Sequence, residues 1–326
     1  MLVLLTAMMC GLGLLRMLVG RDPITDEIAL SWPDAAYVGF RSTAMLVAAG
    51  VGGGLALSGM LLQAALRNPL ASPSVLGVSS GAGLGVMVAL YLAHQAGVSS
   101  LPWGVSAMLG ACFAVGVVLA LGGRGGWPDP VSTILAGVIV ATMCGAGMVL
   151  LQGLVPDGLR GRFLAWAMGT IPESVPGGGL ASLFVALAVV LVVAQCGHGR
   201  LDALLLDHAS AVTIGAAPGP TRLACLAAAG TLTAITVALC GPLGFVGLVA
   251  PHVARRVIGP AHRLLVPASV VVGAGLVLGA DVARQVVDFG TGRLPVGVLT
   301  TLAGGPIFLW MLRRGAASGW RTDAAV

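Results

Sequence analysis

Lysine is missing altogether from this 326-residue chain, so its 17 basic side chains are all arginine, set against 12 acidic ones for a formal charge of +5. A Walker A loop needs a lysine to reach nucleotide phosphates, and that motif is therefore excluded. If ATP drives this protein, another chain binds it. Charged residues of any kind make up 9% of the sequence, where a soluble domain carries roughly 25%. Such a chain cannot cover itself with a polar surface, so lipid is its solvent. The arginines lie singly or in pairs between apolar segments, which reads as a topology signal and not as a nucleic-acid footprint. Six cysteines (Cys10, Cys112, Cys144, Cys196, Cys225, Cys240) sit in apolar stretches without CxxC spacing, and five histidines (His94, His198, His208, His252, His262) are scattered without ligand spacing. Neither a disulfide framework nor a zinc site is supported, and an intramembrane enzyme lacks both its H-E-x-x-H pair and a nucleophile with a base. No catalytic and no metal-ligating residue is assigned.

What the chain does have is apolar length and glycine. Hydrophobic residues are 57% of the sequence, and its 50 glycines lie inside the apolar runs, where small residues let helix backbones approach closely in lipid. A spanning helix needs about 20 mainly apolar residues. Ten runs fit or nearly fit: 1–20, 43–66, 74–94, 102–121, 131–154, 180–195, 222–239, 244–258, 264–287 and 296–312. The first lacks a basic start and is longer than a typical signal-peptide core, so it reads as a retained helix. With both termini in the cytoplasm, ten arginines fall inside and seven outside, the sign that the positive-inside rule requires. No polar stretch approaches the roughly 50 residues of a soluble domain, so residues 1–326 read as a single membrane domain.

Three segments carry more than hydropathy. The link after the second run reads RNPLASPSVLGVSSGAG from Arg67 to Gly83, in which Pro69 and Pro73 force a reversal and Gly77, Gly81, Gly83 and Gly85 thin one side of the next helix. The stretch GPLGFVGLVAPHVARRVIGPAHR from Gly241 to Arg263 holds a helix, 244–258, of only about 22 Å. Short helices at membrane depth are tolerated beside protein or a water-filled cavity, which puts this one next to a pathway. His252, after Pro251, reads as a cap on backbone carbonyls. Asp281 and Arg284 stand three apart and can pair on one helix face. Asp281 is also the single candidate acid well inside a span. That leaves little for an ion-coupled secondary transporter, which needs such carboxylates and for which no clear inverted repeat is visible.

Those two segments, together with the ending LPVGVLTTLAGGPIFLWMLRR from Leu294 to Arg314, resemble the FecCD/BtuC-type permeases that import iron-siderophores, haem and cobalamin. The similarity runs from about Arg41 to Arg314 in order. It implies an all-α, ten-helix bundle of the type II ABC importer kind in the bacterial inner membrane. The implied partners are a second permease copy or paralogue, two cytoplasmic ATP-binding subunits that use ATP and Mg, and an outer substrate-binding protein. No cofactor is implied for this chain itself. The resemblance also implies site residues. A cytoplasmic coupling segment maps onto 201–215, with Leu201, Leu204, Leu205, Asp207, His208, Ser210 and Gly215; the family's Gly-Glu is Asp-His here. The segment reads as one short helix ended by a glycine. Asn68 and Leu70 match an inner gate, opposed by Val131 and Ser132. Arg41 and Arg284 match docking arginines for the binding protein, although Ala44 stands where a second arginine is usual near Arg41. Iron-siderophore is the first expectation for cargo, with haem and cobalamin behind it.

Overall fold

The computed structural model describes residues 1–21, 28–98, 102–124, 126–175, 178–206, 208–287 and 294–316. Its helices are α1 (Leu2–Leu18), α2 (Ala35–Ala65), α3 (Val78–Gln95), α4 (Trp103–Leu121), α5 (Pro130–Leu154), α6 (Asp157–Ala167), α7 (Gly179–Cys196), α8 (His198–Ala203), α9 (His208–Thr213), α10 (Pro218–Cys240), α11 (Val246–Ile258), α12 (His262–Val286) and α13 (Val296–Ala316). Two small antiparallel ladders join helices: β1 (Val19–Arg21) with β2 (Ile28–Leu30), and β3 (Gly123–Arg124) with β4 (Trp127–Pro128). A helix lies over each of the ten apolar runs, and α2, α4, α5, α7, α10 and α12 are long and apolar enough to cross a membrane.

Local chemistry explains where the helices differ from the hydropathy reading. α2 starts at Ala35, eight residues before the apolar run at Thr43, because Ala35–Ser42 contains no proline and its one glycine, Gly39, does not end the helix. Its 31 residues span about 46 Å, well beyond a hydrocarbon core of about 30 Å. The reversal after α2 is a single 3-10 turn, Pro73–Leu76, and Gly77 takes the left-handed conformation (φ 68°) that starts α3. α6 has no hydropathy signal, since two arginines and an aspartate share its 11 residues; it follows Pro156 and buries only Phe163.

α2 is the centre of the bundle. Nineteen of its residues are buried, while α4, α5 and α7 bury few of theirs. A helix apolar on its outer face is stable only against lipid or another chain. The inner contacts depend on glycine. A β-carbon at Gly59 of α2 would overlap the Gly247 carbonyl of α11, and one at Gly110 of α4 would overlap α3 at Gly81 and Gly85. Pro251 removes the N–H that the Gly247 carbonyl would otherwise receive, and that freed oxygen is the one turned toward Gly59. The backbone also closes one end of the bundle: Thr170 N–H donates to the Cys240 carbonyl (2.8 Å) and Gly297 N–H to the Gly169 carbonyl (3.1 Å), which joins the ends of α6 and α10 to the start of α13.

Candidate coupling element and gate

The expected coupling helix is two short helices. α8 ends at Ala203, the chain turns through Leu204–Leu206, and α9 follows from His208 to Thr213. Asp207 lies outside the described residues, as does the His208 side chain. α9 ends in a left-handed Gly215 (φ 78°), with Gly215 N–H donating to Val212 O (2.9 Å) and Ala216 N–H to Ala211 O (3.0 Å). Paired bonds of this kind satisfy the last carbonyls of a helix. The leucines of the segment divide their work. Leu201 and Leu204 are buried (3% and 1% exposed) in the main apolar core, so they anchor the segment. Leu205, Leu206, Val212 and Ile214 are exposed, and Ser210 with them.

Two arginines tie this segment to the link after α2. Arg67 follows the end of α2 with φ 47°, a left-handed conformation that favours glycine, and its Nε donates to the Leu204 carbonyl (2.6 Å) while Nη2 donates to that of Leu206. Arg222, near the start of α10, donates from Nε to Ala65 O (2.8 Å) and from Nη1 to Pro128 O (2.9 Å). Ala65 is the last residue of α2, and Pro128 stands two residues before α5. At the expected gate, the Asn68 side-chain oxygen accepts from Leu70 N–H (2.9 Å), closing a tight turn that leaves Leu70 exposed. In the half of the gate expected to oppose it, Asp129 caps α5 by accepting from Ser132 N–H (3.0 Å), and Val131 is exposed beside it. Beside Asp129 lies an open cavity of about 440 Å³ lined by Trp127, Asp129, Val212, Ala216, Pro218 and Arg222. This cavity joins the α9 end of the coupling segment to the α5 start.

The opposite end of the bundle holds the two expected docking arginines. Arg41 is half-buried, and its Nη1 donates to Met17 O (2.8 Å) and Leu18 O (3.3 Å), capping the end of α1. Arg284 is buried: its Nε meets Asp281 at 2.5 Å and its Nη2 donates to Ile171 O (3.2 Å). In this conformation Arg284 presents no charge to a partner, because both groups are spent inside the protein. The i,i+3 pair is present, and Arg16 of α1 joins it with a third charge through the other Asp281 oxygen. Nearby, Arg160 of α6 donates to the Gln152 carbonyl (3.0 Å), and Arg162 lies 5.2 Å over the Trp103 ring of α4.

α11 shows the carbonyl cap expected of His252, whose Nδ1 donates to Leu248 O (2.8 Å); its ring also meets Phe308 of α13 edge-on at 5.4 Å. Arg256 reaches the Met311 carbonyl of α13 (2.9 Å), so an arginine read as a topology signal also ties two helices together. Sequence reasoning missed Arg16, Arg222 and the pair Asp202–His262. The last joins α8 to α12: one Asp202 oxygen accepts both from His262 Nδ1 (2.6 Å) and from its backbone N–H (3.1 Å). A carboxylate at the first turn of α12 complements the helix dipole. No sequence spacing could have found these partners, which lie 60 to 265 residues apart. Among the described residues there is no group of three or more His, Cys, Asp or Glu able to hold a metal ion.

Comparison with known proteins finds relatives along nearly the whole chain. The chain is 36% identical over 278 residues to the cobalamin import system permease protein BtuC of Halobacterium salinarum, covering 84% of this chain and 72% of that protein. It is 33% identical over 284 residues to the hemin transport system permease protein HmuU of Yersinia pestis, covering 85% and 83%. Its fold matches the solved structure of a metal-chelate type ABC transporter in an inward-facing conformation with a TM-score of 0.83, at 28% identity over 96% of this chain and 98% of the other. Residues 3–314 match one family from end to end, and the chain belongs to the FecCD transport family.

Proposed function

We propose that this chain is the non-catalytic, membrane-spanning permease subunit of a binding-protein-dependent ABC importer, working as one of a pair whose interface forms the pathway. Two ATP-binding subunits dock on the coupling segment from the cytoplasm and hydrolyse ATP with Mg; this chain binds neither. A substrate-binding protein delivers cargo from outside, with Arg41 as the docking arginine. Arg284 joins it only if the Asp281 contact opens. The chain sits in the bacterial inner membrane with both termini in the cytoplasm. The cargo is a bulky metal chelate, an iron-siderophore first, with haem or cobalamin next.

One observation carries this reading. Leu205, Leu206, Val212 and Ile214 are exposed on a segment whose Leu201 and Leu204 are anchored in the core, an apolar surface at a bundle end that no other described residue covers. An ion-coupled secondary transporter finds less support, because Asp281 is already engaged by Arg16 and Arg284. The deciding experiment is uptake into proteoliposomes holding the chain with its ATP-binding subunits and binding protein. Import of a ferric siderophore, hemin or cyanocobalamin that requires ATP and survives collapse of the ion gradients supports the reading. Import that continues without ATP and stops with the gradient would sink it.

A further inference from the structure

We infer that Arg67 and Arg222 are positioning residues that transmit movement of the coupling segment to the gate: together they clamp the end of α2 to Leu204–Leu206 on one side and to the start of α5 on the other. The inference rests on the transport reading above and extends it to residues that reading does not use.

The geometry forms a continuous chain of contacts. Leu204 and Leu206 flank the exposed Leu205, so a load applied to that surface reaches their carbonyls through the backbone. Both carbonyls are held by the one guanidinium of Arg67. A planar guanidinium with two bonds resists rotation in a way that a single ammonium contact does not. The backbone of Arg67 is held in a left-handed conformation unfavourable to an L-residue, and Asn68 follows directly. Movement of the Arg67 fork is therefore passed to the turn that presents Leu70, which the Asn68 side chain makes rigid. Arg222 acts at the same place from the other side, since its two donors bridge Ala65 at the end of α2 and Pro128 before α5. Asp129 and its cap on Ser132 come next in the chain, so the facing side of the gate is referenced to the same helix end. The two halves of the expected gate, 63 residues apart from Asn68 to Val131 in sequence, thus share one anchor.

The plainer reading is that both arginines only cap helix ends. A cap contributes to folding alone, so its loss lowers ATP hydrolysis and uptake together, in step with the amount of folded complex. A transmitting contact has a different signature, the amount of chelate imported per ATP hydrolysed. The test uses the full complex in proteoliposomes with a ferric hydroxamate siderophore, hemin and cyanocobalamin as probes, carrying forward whichever the unsubstituted complex imports. In Arg67→Gln, and in Arg67→Gly, which relieves the backbone strain but removes the guanidinium, import per ATP is expected to fall at least about tenfold. Arg67→Lys, keeping charge without the fork, should lie between, and Arg222→Gln should follow Arg67→Gln. A ratio within about twofold of the unsubstituted complex in both Arg67→Gln and Arg67→Gly overturns the inference.

A second measurement needs no cargo. Spin labels at Leu70→Cys and Val131→Cys, in a background without the six native cysteines, should change separation when ATP and Mg are added to the complex. Arg67→Gln is expected to abolish that change. An unaltered change in Arg67→Gln, or none in the chain with Arg67 intact, overturns the inference. If the unsubstituted complex imports none of the three chelates, the cargo reading fails, and the label separation still decides the role of Arg67.

Discussion

Replacing Asp281 with asparagine should destabilise the protein far more than replacing either arginine that it binds. Arg16, Asp281 and Arg284 are 2%, 0% and 6% exposed, so the cluster is a buried set of two positive charges and one negative. Asp281→Asn removes the only carboxylate in it among the described residues and takes away the counter-charge that the two arginines share. Breaking a buried pair in this way costs about 3–5 kcal/mol. Arg16→Met removes a charge but leaves Asp281–Arg284 intact and neutral, so its cost should stay near 1–2 kcal/mol, roughly that of a lost charged hydrogen bond. With an unfolding entropy near 2.1 cal/mol/K per residue, 326 residues give about 0.7 kcal/mol per kelvin. Asp281→Asn should then lower the melting midpoint by roughly 4–7 °C and Arg16→Met by about 1–3 °C. The midpoint is read in detergent from the loss of the monodisperse peak after heating. An Asp281→Asn midpoint no lower than that of Arg16→Met would refute the argument, since it would mean that the acid does not hold the two arginines together.

Three further outcomes follow from single contacts. Gly59→Val must separate α2 from α11 and should cost about 3 kcal/mol or more, against less than about 0.5 kcal/mol for Gly116→Ala, which meets open space; thermal midpoints of the two purified variants check it. Leu204→Asp places a charge in the core and should lower the yield of folded protein, whereas Leu205→Asp should fold normally and fail to co-purify with the ATP-binding subunits. Equal yields with equal complex formation would contradict the division between anchor and surface. Asp202→Ala should cost about 1–2 kcal/mol through loss of the α12 cap, and hydrogen exchange should rise first at the His262 end of that helix.

Much of the fold was legible because hydropathy is a local property. Whether a run of 20 residues prefers lipid depends on those residues alone, and so the ten apolar helices, the Pro-broken link at Pro69 and Pro73, and the short α11 could be read in order. α6 escaped because its 11 residues carry two arginines and an aspartate, and a short polar helix is held by packing on Phe163 and not by a transfer preference. The expected coupling segment reads in the sequence as one short helix, with Leu204 and Leu205 undistinguished. Only packing shows that Leu204 belongs to the core and Leu205 to the surface.

Residue chemistry alone established that this chain lives in lipid, where its apolar helices run, and which family its motifs resemble. Tertiary structure alone decided what the arginines do. A guanidinium on a long, flexible stem can reach any carbonyl or carboxylate brought within a few ångströms, and nothing in the neighbouring residues names that partner. Arg16 finds Asp281 from 265 residues away, Arg222 finds the end of α2, and Arg67 finds the turn after α8. Arg284, expected at a docking surface, is instead enclosed with Asp281 and Arg16 because α1 packs along α12 and covers it.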